Sequence, residues 1–246
     1  MNLEHSLGLD GQYAGLYGEV VEKDTYHVRD VADIVSCNDP TYVHEKGHNG
    51  IDFIPDTILD LGANVGVFSR YARSLWPDAN IISVEPNPWN CSVFREFTKD
   101  DKTLLIEAAI GKGPLYHCTG AANGAMEVYL SKGLGYNELA FVELGKIGTT
   151  EASNVKTLML TDLKQYIKGK TLLKLDIEGN ETVIFNDPQS MDLMRTFDYI
   201  VMELHYFAMD GASLDAVKAK TAEVLGVLNE THHTRFDHIY FYARKK

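Results

Sequence analysis

The residues of this chain that could do chemistry stand where short apolar runs end. Asp60-Leu61-Gly62-Ala63-Asn64-Val65-Gly66 closes the run that begins at Thr57. Gly62 and Gly66 permit a tight turn and a close backbone approach to a ligand. The spacing is not GxGxxG, because Asn64 takes the second glycine position and Val67 the third. A dinucleotide pyrophosphate wants a bare helix N-terminus and glycine at the contact point, so this loop suits it poorly. The loop instead sets a carboxylate, Asp60, at the strand end. That suits a ligand bearing an ammonium group and no phosphate. Glu85, 25 residues further on, closes a second apolar run and can accept both hydroxyls of a ribose.

Two further clusters follow. Lys174-Leu175-Asp176-Ile177-Glu178-Gly179-Asn180-Glu181 puts Asp176 and Glu178 where a second substrate would meet the first. Glu178 and Glu181 also read as first-turn helix residues favoured by the dipole. Glu203-Leu204-His205 ends another run. Its histidine has a near-neutral intrinsic pKa and could serve as a general base, or simply form a polar lip. Asp176, Glu178, Glu203 and His205 could together hold a divalent ion. Their spacing matches no strong metal motif, so a metal is not favoured and no metal ligand is assigned. His44 and His48 lie four apart in a glycine-bearing polar stretch without a convincing helix, and His232, His233 and His238 flank the final strand and read as surface residues. Among these clusters Asp60 and Glu85 form the informative pair. An ammonium partner and a ribose partner together fit an adenosine carrying an amino acid, as in S-adenosylmethionine, better than an adenine dinucleotide.

Strands and helices must alternate to place these residues. Thr57 to Leu61 reads as a buried strand, Val65 to Trp76 as a helix stopped by Pro77, and Asn80 to Glu85 as a second strand. Trp89 to Thr98 reads as a helix and Thr103 to Ile110 as a third strand. Residues 111 to 154 hold eight of the 20 glycines and read as a hairpin or loop excursion, expected to act as a mobile or partner-dependent flap over the acceptor site. Thr161 to Ile167 reads as a short helix, Leu172 to Ile177 as a fourth strand and Tyr199 to Leu204 as a fifth. Glu181 to Phe185 and Ser190 to Phe197 look helical between them. An amphipathic helix covers about 213 to 229, and Phe236 to Ala243 is the last strand. Near-continuous apolar strands alternating with helices imply an α/β fold with a mainly parallel sheet and helices on both faces. Residues 1–50 are an N-terminal extension that could cap the site, in which Val28 to Val35 is a strand or short helix. Residues 51–246 form the domain.

The chain has 246 residues and a net charge of −12. So acidic a surface repels phosphate backbones and anionic lipid, so neither nucleic acid nor membrane is expected as a partner. The three cysteines, Cys37, Cys91 and Cys118, are scattered and odd in number, and read as free thiols in a reducing compartment. No signal peptide or membrane span is visible, and a cytoplasmic location is expected. A homo-oligomer is allowed.

Ile58-Leu59-Asp60-Leu61-Gly62-Ala63-Asn64-Val65-Gly66, then Val84-Glu85-Pro86-Asn87, then Leu173-Lys174-Leu175-Asp176-Ile177-Glu178-Gly179-Asn180-Glu181, resemble the DxGANxG, EP and KxDxEGxE motifs of the FkbM methyltransferases. Val155-Lys156-Thr157-Leu158 with Leu163, and Glu203-Leu204-His205, resemble two shorter stretches of that family. The resemblance covers about 55 to 245. It implies a Rossmann-like class I methyltransferase sheet of seven strands, the last antiparallel. It also implies O-methylation of a sugar or natural-product hydroxyl from S-adenosylmethionine. Carried over, Asp60, Gly62, Ala63, Asn64, Val65 and Gly66 cradle the amino acid part of the donor. Glu85 and Pro86 serve the ribose, Ala108 and Ala109 lie near the adenine, and Asp176 lies beside the donor. Glu107 replaces a frequent asparagine, and Met159-Leu160-Thr161-Asp162 spreads the expected TLD. His205 is the first choice of base, then Asp176 or Glu178, acting on a small-molecule or glycan hydroxyl. The competing readings are a non-catalytic module for the donor or its demethylated product, and a nicotinamide-dependent oxidoreductase.

Overall fold

The computed structural model describes Gly18, Val20 and residues 51–111, 115–119, 129–131, 150–177, 180–204, 214–237 and 240–246. Val28 to Val35, His44, His48, Cys37, Glu178, His205 and His238 lie outside the described residues, as do most of the glycines of 111 to 154.

The central sheet begins with β1 (Thr57–Leu61), β2 (Asn80–Glu85) and β3 (Thr103–Glu107), linked by α1 (Val67–Leu75) and α2 (Pro88–Phe97). Asn87 starts α2 by accepting the Trp89 N–H at 2.8 Å, with Pro88 at the first helical position. The expected strand 103–110 divides: β4 (Ala109–Ile110) leaves the sheet to pair with β8 (Thr157–Leu158). Ala108 marks the break, its N–H bonded to the Glu85 carbonyl at 3.1 Å while that of Ala109 turns to Lys156 at 2.8 Å. β5 (Leu115–Thr119), β6 (Tyr129–Ser131) and β7 (Thr150–Val155) form a separate antiparallel sheet in the order β6-β5-β7.

A 3₁₀ helix (Leu160–Tyr166) leads to β9 (Thr171–Leu175). There follow α3 (Glu181–Phe185), α4 (Pro188–Met194), β10 (Tyr199–Glu203) and α5 (Leu214–Gly226). The chain closes with β11 (His232–Asp237) and β12 (Tyr240–Lys245). The sheet order is β11-β12-β10-β9-β1-β2-β3. β12 runs antiparallel to both of its neighbours, and the pairings among β10, β9, β1, β2 and β3 are parallel. A seven-stranded, mainly parallel sheet with its last strand antiparallel is thus the observed fold.

The single final strand expected at Phe236 to Ala243 is a hairpin instead. β11 reads His-His-Thr-Arg-Phe-Asp, an edge strand whose pairing with β12 shapes it more than any apolar run does. Its first residue overturns a second expectation. His232 is not a surface residue: it is 1% exposed, and its Nε2 lies 2.9 Å from the Phe197 carbonyl. That carbonyl can only accept, so the imidazole proton sits on Nε2, and Nδ1 meets the Thr231 hydroxyl at 2.7 Å.

Strand alternation sends side chains to two cores. Leu59, Leu61, Ile82, Val84, Leu173, Leu175, Ile200 and Met202 pack on one face with α4 and α5 residues. Ile58, Ile81, Leu172 and Val201 pack on the other against Val67, Phe68, Tyr71 and Ala72. On this second face the apolar pattern stops one register step before the strand ends. Asp60 pairs in register with Ser83 on one side and with Lys174 on the other, so three polar residues form a row across β2, β1 and β9. Among the described residues no helix is long and apolar enough to cross a membrane.

Candidate active site

The row ends beneath the loop that joins β1 to α1. Gly62, Asn64 and Gly66 all adopt the left-handed backbone conformation, with φ of 81°, 51° and 85°. Glycine reaches it without strain, and asparagine is among the few other residues that tolerate it. Asn64 supports its own turn by accepting the Val65 N–H at 2.7 Å. This alternation explains why asparagine can replace the middle glycine of the more familiar pattern. Close packing fixes the outer two positions as well. A Cβ on Gly62 would lie 1.7 Å from the Asp176 carbonyl oxygen, and one on Gly66 would lie 2.5 Å from the Phe94 ring. The Gly62 and Ala63 N–H groups both donate to the Val84 carbonyl, at 2.9 and 3.0 Å, which ties the loop to β2.

Glu85 stands beside this loop, 5% exposed. Its Oε2 accepts the Asn64 N–H at 2.8 Å, and its Oε1 accepts the Asn87 N–H at 3.0 Å and the Asn90 side-chain N–H at 3.1 Å. Burial pushes this carboxyl above its usual range, and those three donors pull it only part of the way back. Among the described residues Oε2 takes one bond, so a lone pair remains for a ligand hydroxyl. Pro86 is half-buried at the same strand end, and Ala63, Val65, Ala108 and Ala109 are buried. Cys91 is also buried and free. Its thiol donates to the Glu85 carbonyl oxygen at 3.2 Å and is pushed up to about 12, by burial first and then by the Glu85 and Glu107 charges. A thiol so held is not a nucleophile at neutral pH.

Asp60 takes a place that the spacing alone did not suggest. It has no exposed surface, and its carboxylate lies under the loop. Oδ2 accepts from the Ser69 hydroxyl at 2.5 Å, and Ser69 in turn bonds Ser83 at 2.7 Å. Oδ1 has no hydrogen-bond partner among the described residues, with Lys174 Nζ 3.5 Å away. Burial pushes the Asp60 carboxyl up, against the pull of Lys174 and Ser69.

Lys174 is the residue the motif reading passed over. It is 3% exposed, donates to the Gly62 carbonyl at 2.8 Å, and lies 3.4 Å from Asp176 Oδ2. Burial works against its charge, but Asp176, Asp60 and Glu203 outweigh burial and hold its pKa above the ordinary lysine value. The sequence shows only that Asp60, Ser83 and Lys174 each interrupt an apolar strand; the pairing sets them side by side. Asp176 extends past β9, its side chain 21% exposed. Glu181 is the first residue of α3 and is 2% exposed. It accepts the Ile177 N–H at 3.1 Å and so braces the turn after Asp176. Among the described residues no group of three or more His, Cys, Asp or Glu side chains is placed to hold a metal.

A seven-stranded sheet of this order, with a glycine-asparagine loop after β1 and an acidic residue closing β2, defines a Rossmann-like class I methyltransferase fold. The family model of the methyltransferase FkbM domain matches residues 60–240. The chain belongs to the FkbM methyltransferase family, and methyl transfer from S-adenosylmethionine is the chemistry of that class. No curated protein matches the chain. Solved structures similar to it include the fibrillarin pre-rRNA processing protein of Methanococcus jannaschii. That pair shares 9% identity over 78% of this chain and 66% of that one, with a TM-score of 0.43. Fibrillarin of Aeropyrum pernix, with natively bound S-adenosyl-L-methionine, shares 13% over 77% and 66%, with a TM-score of 0.41. The precorrin-6y C5,15-methyltransferase of Geobacter metallireducens GS-15 shares 13% over 78% and 81%, with a TM-score of 0.39. The assignment rests on the family match and the strand order, not on these likenesses.

Proposed function

We propose that this protein is an O-methyltransferase that binds S-adenosylmethionine across the carboxyl ends of β1 and β2 and acts on a hydroxyl of a sugar or other small molecule. The observation that carries the reading is the Gly62–Asn64–Gly66 loop, left-handed at alternate residues and set against the buried carboxylate of Glu85. The loop offers backbone close to a ligand, and Glu85 offers a desolvated acceptor suited to a ribose hydroxyl. The donor supplies a methyl group already activated on its sulfonium.

The chain's own work is to align an acceptor oxygen, exclude water and take a proton. Asp176, at the open end of β9, is suited to orient the acceptor. In this proposal His205 takes the hydroxyl proton, with Asp176 and Glu178 as its alternates. A well-placed base contributes roughly 10² to 10⁴-fold. Calorimetric titration with S-adenosylmethionine and S-adenosylhomocysteine tests the first step. Transfer of labelled methyl to a pool of glycans and hydroxylated small molecules tests the second. Binding without transfer to any hydroxyl acceptor would count against O-methylation. In an active assay His205→Ala should lower kcat by at least about tenfold and leave donor affinity unchanged.

A further inference from the structure

The Gly62 carbonyl presents a physical problem that the loop cannot solve alone. The Gly62 and Ala63 N–H groups donate to the Val84 carbonyl of β2, which satisfies the loop's donors but leaves the Gly62 oxygen, an acceptor, to find a donor elsewhere. A carbonyl partly shielded from water and left without a donor is costly. Lys174 meets it at 2.8 Å from the adjacent strand.

The same ammonium group lies between Asp60 on β1 and Asp176 at the end of β9, at 3.5 and 3.4 Å. The fold itself does not ask for a charge here. Lys174 is in register with Val201 and shares its face with Leu172 and Val201, where an apolar side chain would pack. Replacing a buried ion pair by apolar groups is often neutral or stabilising. A lysine at this point therefore serves the loop.

We propose that Lys174 is a positioning residue of the methyl-transfer site. It tethers the Gly62 carbonyl, which sets the loop's ligand-facing backbone, and it ties that loop to Asp176 on the acceptor side. Asp60 is its counter-charge, held in place by Ser69, and touches no ligand. This inference rests on the donor assignment proposed above.

The test separates charge balance from tethering. The full-length protein is titrated with S-adenosylmethionine as wild type, Lys174→Met, Asp60→Asn and the Lys174→Met/Asp60→Asn double variant. A thermal melt accompanies each titration. Lys174→Met should lower the melting temperature, because it leaves Asp60 charged and buried. The double variant should recover most of that loss, since both charges are gone. It should nevertheless bind the donor roughly ten- to a hundredfold more weakly than Asp60→Asn, which keeps the tether. Asp60→Asn removes only the counter-charge and is the reference against which the double variant is read. A double variant that matches Asp60→Asn in affinity would reduce Lys174 to a counter-ion and overturn the proposal. A double variant that does not fold would overturn it as well, because the charge would then serve the fold. A wild-type protein that binds neither S-adenosylmethionine nor S-adenosylhomocysteine would instead remove the donor assignment itself.

Discussion

The two edges of the central sheet are built on opposite principles. At the amino edge the polar groups bond short, neutral partners and close on themselves. Thr57 exchanges hydrogen bonds with Lys168, donating at 2.7 Å and accepting at 2.9 Å. Asp56 accepts the Lys170 N–H and Asp198 accepts the Thr171 N–H, each at 2.8 Å. His232 is bonded between Phe197 and Thr231, and burial, against the pull of the Phe197 carbonyl, lowers its pKa. At the carboxyl edge three carboxylates and one ammonium crowd beneath a loop with three left-handed residues, and Asp60 Oδ1 lacks a hydrogen bond among the described residues. The amino edge spends its polar groups on joining strands. The carboxyl edge gathers buried charge, as a ligand site does.

The largest break in this contrast should come at Gly62. Gly62→Ala forces a left-handed alanine whose Cβ would overlap the Asp176 carbonyl at 1.7 Å. Donor binding should fall by more than about 1,000-fold, equivalent to roughly 4 kcal/mol, as read by calorimetry. Next is Lys174→Met, which should cost about 3 to 5 kcal/mol in denaturant unfolding by leaving a buried carboxylate without its counter-ion.

Gly169→Ala is the matching lesion at the amino edge. Gly169 has φ of 61°, and a Cβ there would meet Asp56 Oδ2 at 2.1 Å. The loss should be about 1 to 3 kcal/mol of stability with donor affinity unchanged. A loss of affinity would show that the two edges are coupled.

The edges should also respond to pH with opposite signs. Burial lowers the pKa of His232 below 6.5, so the unfolded chain binds the extra proton. The stability from His232 is present above pH 6.5 and is lost as pH falls toward the folded value, with a slope of at most about 1.4 kcal/mol per pH unit. Burial raises Asp60 and Glu85, so there the folded chain binds the extra proton, and their contribution is lost as pH rises through the folded values. Unfolding titrations of wild type and His232→Gln between pH 5 and about 7.5 should show the first slope vanish in the variant. Smallest of all is Gly226→Ala. Among the described residues no atom outside its own helix lies within 4 Å of a Cβ there and the backbone is helical, so a gain of about 0.4 to 1 kcal/mol is expected.

Much of this could be read directly. The bounds of β1 and β2 follow from apolar runs closed by Gly62 and by Pro86, because such runs are what a strand buried on both faces requires. Gly62, Gly66 and Glu85 stood out because a tight turn and a strand-end carboxylate are local properties. β11 stayed hidden because an edge strand needs no apolar run, and His232 because its burial depends on Phe197, 35 residues away. Lys174 was quoted within a motif and given no task, since nothing along one strand says what lies beside it.

The amino acid order by itself determined the alternation of strand and helix, the loop chemistry after β1 and the acidic end of β2. Those are set by backbone sterics and side-chain type over a few residues. Only the tertiary structure decided that Asp60 lies under the loop and that Lys174 holds the Gly62 carbonyl. Both depend on the register of β9 against β1, which brings residue 174 beside residue 60 across 114 positions of chain. That register is set by packing two apolar faces at once, a condition that no single segment contains.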